Sequence, residues 1–208
     1  LYKAGYSYAD IDYIFISHMH PDHFNDLLAY LQLLYNPPRE DKKRESEVIL
    51  LGPEGFSEKI NHLLQSWNPD QNDSLKVKEL SENTTESIED VKITGYEVIH
   101  SRKGKCLSLR VENNGKTFAY SGDTSDCNGL RNAIHNTDLA LVEATMPHSS
   151  LKGTHLSGYL AGKIAYEESV QKLALTHVKS YYTNIKEEAK EGFGSDTIVA
   201  KDLMEIDI

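Results

Sequence analysis

Cysteine is scarce. The 208 residues hold two, Cys106 and Cys127, and they form no CxxC pair. That excludes a disulfide framework and makes a reducing cytoplasm the expected compartment. No apolar run approaches the roughly 20 residues of a membrane span, and no secretory signal is visible, so no membrane partner is expected. Basic residues are outnumbered, 22 against 32, for a formal charge of −10. A generally basic surface for nucleic acid is therefore excluded, although a local patch is not. Internal repeats and low-complexity blocks are absent too. What remains is an ordinary globular composition, 39% apolar and 26% charged, in a chain long enough for a full core. Nine histidines are the unusual feature.

Strand and helix signals alternate. Tyr13 to Ser17 reads as a buried strand, and Phe24 to Leu34 as a helix carrying Leu27, Leu28, Leu31 and Leu34 on one side. Arg39 to Glu47 reads as a charged loop whose Lys42-Lys43-Arg44 is a wet surface cluster. A strand over Val48–Leu51 and a helix reaching Trp67 follow, then a polar stretch from Asn68 to Asp90 with one short strand near Val77. Val91 to His100 is a strand with a bulge expected at Gly95. Cys106–Val111 and Thr117–Ser121 form a hairpin over Asn113-Asn114-Gly115. Helices are expected over Asn128–His135, Leu156–Ser169 and Asn184–Glu191, strands over Leu139–Glu143 and Lys172–Thr176, and an extended tail over Thr197–Ile208. This order predicts an α/β fold, a mixed sheet with helices packed on it. Leu1–Ala4 before Gly5 resembles the last turn of a helix with its terminal glycine, so a preceding segment is expected.

The chemistry concentrates in His18-Met19-His20-Pro21-Asp22-His23. Residues two apart on an extended segment face the same way, and Pro21 biases His20 toward extended backbone, so His18 and His20 can share one metal ion. Asp22 and His23, past the turn, can face a second ion, because imidazole and carboxylate form a normal zinc set. Further ligands stand at strand ends: His100, Asp123 in Tyr120-Ser121-Gly122-Asp123-Thr124, and His177 after Leu173-Ala174-Leu175-Thr176. Strand ends converge on one sheet edge, the usual place for a site in layered folds.

These residues resemble the metallo-β-lactamase superfamily in order and over nearly the whole chain. Within it, Glu143-Ala144-Thr145, Thr154-His155-Leu156-Ser157 and Leu175-Thr176-His177 are most similar to motifs of ribonuclease Z and its relatives. The resemblance implies a four-layer αβ/βα sandwich, residues 1–208 forming one such domain without its N-terminal strands and with an exposed sheet edge that favours a homodimer. It implies two zinc ions, with manganese or iron as alternatives. His18, His20 and His100 would bind one ion, Asp22, His23 and His177 the other, and Asp123 would bridge. Two departures bear on substrate. The short interval from His100 to Asp123 leaves no room for the family's tRNA-binding arm, and His177-Val178-Lys179-Ser180-Tyr181-Tyr182 lacks the family's Pro-Arg.

The implied reaction is hydrolysis by a metal-bridging hydroxide, with the ions taking up charge on the substrate. Two divalent ions outweigh Asp22, Asp123 and that hydroxide, so the site attracts a phosphodiester. Remote acids are screened beyond about 8 Å at physiological salt. Asp22, Glu143 and His155 are the catalytic candidates, with His155 protonating the leaving group and Glu143 orienting it. RNA is one candidate phosphodiester. A thioesterase or lactonase of the same fold is the second reading, since a thioester needs no acid at His155. A non-enzymatic metal-bearing module is the third. His148 is a pocket-lining candidate and Lys179 a phosphate contact or a solvated loop lysine. His62 and His135 read as helix-surface residues, and Cys127 as a small buried one.

Overall fold

The computed structural model describes residues 1–38, 44, 46–67, 74–101 and 104–208. Lys42 and Lys43 lie outside the described residues. Two compact units divide the chain, Leu1–Leu80 and Ser81–Ile208.

The first unit is a βαβαβ arrangement. After short helical turns at Tyr2–Ala4 and Tyr8–Asp10 come β1 (Tyr13–Phe15), α1 (Pro21–Tyr35), β2 (Val48–Pro53), α2 (Phe56–Trp67) and β3 (Leu75–Leu80). The three strands are parallel in the order β1-β2-β3, as helical crossovers require. Leu27, Tyr30, Leu31 and Leu34 of α1 pack with Val48 and Leu50 of β2 and Phe56, Ile60 and Leu64 of α2. Helix α1 starts three residues before the expected position, so Asp22 and His23 sit in its first turn. Pro21 in the first helical turn and an acid beside the N-terminus favour that start. Gly5 does terminate a short helical turn, with φ +82°. Arg44 is no wet loop cation. Its side chain is 5% exposed, and it donates to the Ala9 carbonyl at 2.9 Å and to Asp12 at 2.6 Å.

The second unit holds β4 (Thr85–Ile88), β5 (Val91–Val98), β6 (Cys106–Asn113), β7 (Lys116–Tyr120), α3 (Asn128–Ile134), β8 (Leu139–Glu143), α4 (Gly158–Glu167), β9 (Lys172–Thr176), α5 (Ile185–Phe193) and β10 (Ile198–Val199). Its seven-stranded sheet runs β10-β9-β8-β7-β6-β5-β4. Strands β4 to β7 pair antiparallel and β7 to β10 parallel. The β6–β7 hairpin turns on Asn114 and Gly115, both with positive φ, the requirement of a tight two-residue turn. Strand β4 was not expected. Gly95 pairs with Leu109 in an unbroken register, and on its other side it bonds to both Asn83 N and Thr84 O, so the irregularity expected at Gly95 falls on the residues opposite it, where Asn83 has φ +58°. Of the expected extended tail, only Ile198–Val199 pairs.

The core of this unit lies between the sheet and α3, α4 and α5, with Leu130, Ile134, Leu156, Ile164, Leu173, Leu175 and Phe193 buried. Helices α4 and α5 touch through glycines. A Cβ on Gly192 would collide with the Tyr159 carbonyl oxygen, and one on Gly162 with that of Ala189. Helix propensity alone favours Gly192→Ala by about 1 kcal/mol. Overpacking of this kind costs about 1–3 kcal/mol. The expected net result is a lower denaturation midpoint for Gly192→Ala, measured in urea. Among the described residues, no helix is long and apolar enough to cross a membrane.

Candidate metal centre

Parallel strands end at one edge, and β5, antiparallel to β6, runs the same way as β7. The segments after β5, β7, β8 and β9 therefore emerge together, carrying His100, Asp123, Glu143 and His177. Gly122, with φ +57°, makes the turn before Asp123. His177 has φ +57° as well. A non-glycine held there costs about 1–3 kcal/mol, a strain typical of functional positions.

The histidine tautomers follow from their partners. His100 Nδ1 lies 3.1 Å from the Thr154 carbonyl, which only accepts, so Nδ1 carries the proton and Nε2 keeps its lone pair. That Nε2 stands 3.7 Å from Asp123 Oδ2, and His177 Nε2 stands 3.6 Å from the same oxygen. Both separations are too long for hydrogen bonds. They are close to the roughly 3.4 Å between two ligand atoms of one tetrahedral zinc with bonds of about 2.1 Å. Asp123 is buried, with Oδ2 within 3.7 Å of both imidazoles. Asp123, His155 and His177 bring ligand atoms within 4.8 Å of one another.

In the first unit His20 precedes α1 with extended backbone (φ −71°, ψ 145°), as Pro21 leads one to expect. His18 Nε2 and His20 Nδ1 face each other at 2.9 Å, and the His18 ring lies 4.3 Å from that of His23. Ser17 Oγ holds His18 Nδ1 at 3.1 Å, the outer contact that orients a ligating imidazole. His23 Nε2 is 3.8 Å from Asp22 Oδ2. Three imidazoles gathered beside a carboxylate are a donor set suited to a borderline cation such as zinc.

Glu143, at the end of β8, is fully buried and accepts five hydrogen bonds. Oε1 receives Thr124 N at 2.9 Å and His155 Nδ1 at 2.8 Å. Oε2 receives Thr145 N at 3.2 Å, Thr145 Oγ1 at 2.6 Å and Leu156 N at 3.2 Å. The bond from Glu143 raises the pKa of His155, against the opposing effect of burial. His155 keeps 21% side-chain exposure, so the ring remains accessible. Its ring centroid lies 4.8 Å from that of His100 and 5.8 Å from that of His177.

The residue model for the β-lactamase superfamily domain matches positions 3–178. This chain belongs to that superfamily. It is 28% identical to the uncharacterised protein Rv1339 of Mycobacterium tuberculosis, over 87% of this chain and 67% of that protein. It is 24% identical to ribonuclease Z of Archaeoglobus fulgidus, over 99% of this chain and 83% of the other. Among solved structures, the metallo-β-lactamase fold protein YhfI of Bacillus subtilis superposes with a TM-score of 0.77 at 23% identity, over 95% of this chain and 78% of that one. The protein is thus a metal-dependent hydrolase of the metallo-β-lactamase fold, similar to ribonuclease Z.

Outside the superfamily's metal pattern, His62 and His135 are exposed as expected, whereas His148 lines a different pocket and Cys127 is half-buried rather than buried. His148 bonds to Ser157 Oγ at 2.9 Å and packs on Tyr159, lining a pocket with Ser149, Glu188 and Glu191 rather than one at Glu143. His135 pairs with Glu168 at 3.0 Å, and His62 is exposed on α2. Cys127 precedes α3 with its sulfur 3.5 Å from Thr124 Oγ1. Ser17, Thr124, Thr145 and Thr154 were not singled out for a role. Each acts through short contacts to residues at irregular distances along the chain, which leave no spacing pattern. Thr124, Thr145 and Thr154 carried a signal only as members of Tyr120-Ser121-Gly122-Asp123-Thr124, Glu143-Ala144-Thr145 and Thr154-His155-Leu156-Ser157.

Proposed function

We propose that residues 1–208 act as one binuclear zinc-dependent phosphodiesterase of ribonuclease Z-like type. The observation that carries the reading is the 2.8 Å pairing of His155 Nδ1 with the buried carboxylate of Glu143. On this reading His18, His20 and His100 would hold one ion and Asp22, His23 and His177 the other, with Asp123 shared between them. The chemistry that such ions would supply is a water made nucleophilic at neutral pH and neutralisation of charge on the phosphoryl oxygens. The protein's own residues do the rest. Glu143 fixes the His155 ring with Nδ1 turned inward, which leaves Nε2 to donate a proton to the departing alkoxide oxygen. Asp22, exposed in the first turn of α1, is the carboxylate that would orient the attacking water. A phosphodiester with an alkoxide leaving group needs such an acid, whereas a thioester does not.

The interval between His100 and Asp123 is taken up by β6, the Asn114-Gly115 turn and β7, with no tRNA-binding arm. Short RNA ends or small phosphodiesters are therefore the substrates to try first. Two free cysteines fit a reducing cytoplasm. The test is hydrolysis of bis(p-nitrophenyl) phosphate and of a small thioester by zinc-loaded protein, before and after chelation. Phosphodiester turnover that disappears on chelation and returns with zinc is the expected result. Thioester turnover without phosphodiester turnover overturns the reading.

A further inference from the structure

Thr145 stands between two side chains with different duties. Its Oγ1 lies 2.6 Å from Glu143 Oε2 and 2.9 Å from His177 Nδ1, with His155 Nδ1 farther off at 3.2 Å. The residue is 1% exposed, so water does not compete for these contacts. A hydroxyl has one proton to give and two lone pairs to offer. The shortest contact is to a carboxylate, which only accepts, so the proton goes to Glu143. The lone pairs then face the two imidazoles, and His177 must donate from Nδ1. Its Nε2 is left as the bare nitrogen, on the side of Asp123.

The other described histidines of the centre are held differently. His100 Nδ1 leans on the neutral Thr154 carbonyl and His18 Nδ1 on the Ser17 hydroxyl. At His177 the contact is instead to a hydroxyl that is itself bonded to a buried carboxylate, Glu143. Through it, the carboxylate that orients His155 also sets the ring of His177. The near-parallel rings of His155 and His177, 14° apart, fit two imidazoles hung on one Glu143–Thr145 support.

We propose that Thr145 is a positioning residue: its hydroxyl transmits the Glu143 carboxylate to His177, fixing the tautomer that can bind metal and strengthening that ligand. The proposal deepens the function above and rests on its assignment of His177 as a ligand. Outer partners of ligating histidines typically change metal affinity 10–100-fold, which sets the scale.

The experiment uses the full chain, with Thr145→Val (methyls kept, hydroxyl lost) beside Thr145→Ser (hydroxyl kept). Zinc is titrated against a chromophoric chelator. Thr145→Val is expected to hold one of its ions about 10–100-fold more weakly, while Thr145→Ser matches the wild type. In the metal-free protein, long-range ¹H–¹⁵N spectra of the imidazoles, assigned with His177→Asn, are expected to show His177 protonated at Nδ1. A folded Thr145→Val with wild-type zinc binding overturns the proposal, as does a wild-type His177 protonated at Nε2. If Thr145→Val fails to fold, the wild-type tautomer and Thr145→Ser decide. A wild-type chain that binds no zinc instead overturns the metal assignment of His177, and the tautomer spectrum still decides whether Thr145 governs that ring.

Discussion

Under the proposed function, His155→Ala is expected to separate two phosphodiester substrates by their leaving groups. With a dinucleotide, whose leaving group is a ribose alkoxide, turnover should fall about 10²–10⁴-fold, the usual worth of a placed general acid. With bis(p-nitrophenyl) phosphate the leaving phenolate departs without a proton, and the loss should be much smaller. The split follows from geometry. His155 Nδ1 is committed to Glu143 at 2.8 Å, so the ring presents Nε2 outward, and 21% of the side chain is exposed for contact with substrate. Stability should change little, because the ring is only partly buried. A comparable loss on both substrates would place His155 among the metal ligands instead, a role its ligand-atom distance from Asp123 and His177 permits. The measurement is a pair of steady-state titrations with zinc content determined on the same samples.

Much of this arrangement is legible in the sequence where residues are buried on both faces or obey turn chemistry. Leu139–Glu143 and Lys172–Thr176 are strands with the expected limits because central parallel strands read as short apolar runs. The Asn114-Gly115 turn was legible for the same kind of reason, a backbone demand that few residues meet. Strand β4 was not, because Thr85-Glu86-Ser87 carries no apolar alternation and is held as a sheet edge by pairing with β5. The start of α1 was missed because ligand candidates drew a loop reading onto His20-Pro21-Asp22-His23, although Pro21 and Asp22 are themselves helix-start residues. Arg44 was misread because its partners, the Ala9 carbonyl and Asp12, are remote in sequence. The metal pattern was visible because strand ends and a dense histidine motif announce it. The role of the Thr145 hydroxyl was not, since its contacts to Glu143, His155 and His177 follow no period.

Glu143→Ala is expected to be the most damaging single substitution in the second unit. It would leave five donors without their acceptor: Thr124 N, Thr145 N, Thr145 Oγ1, His155 Nδ1 and Leu156 N. Each buried donor left unmade costs about 1–3 kcal/mol. Even with water entering to serve some of them, a loss of at least about 3 kcal/mol is expected, a large share of the roughly 5–15 kcal/mol that stabilises a typical domain. Urea denaturation measures it. Glu143→Gln tells the two duties of the carboxylate apart. It keeps one oxygen for either the Thr124–His155 side or the Thr145–Leu156 side, and turns an NH₂ group against donors on the other. If its oxygen serves the Thr145–Leu156 side, the Thr145 and Leu156 bonds are kept and His155 loses its partner. The variant then resembles His155→Ala, folded and impaired chiefly on the alkoxide substrate. If its oxygen serves the other side, His155 stays oriented, the Thr145 hydroxyl loses its acceptor, and the impairment appears in zinc affinity. Which of the two occurs depends on whether the one short hydroxyl bond at 2.6 Å outweighs the imidazole bond at 2.8 Å in a buried pocket that can satisfy only one of them.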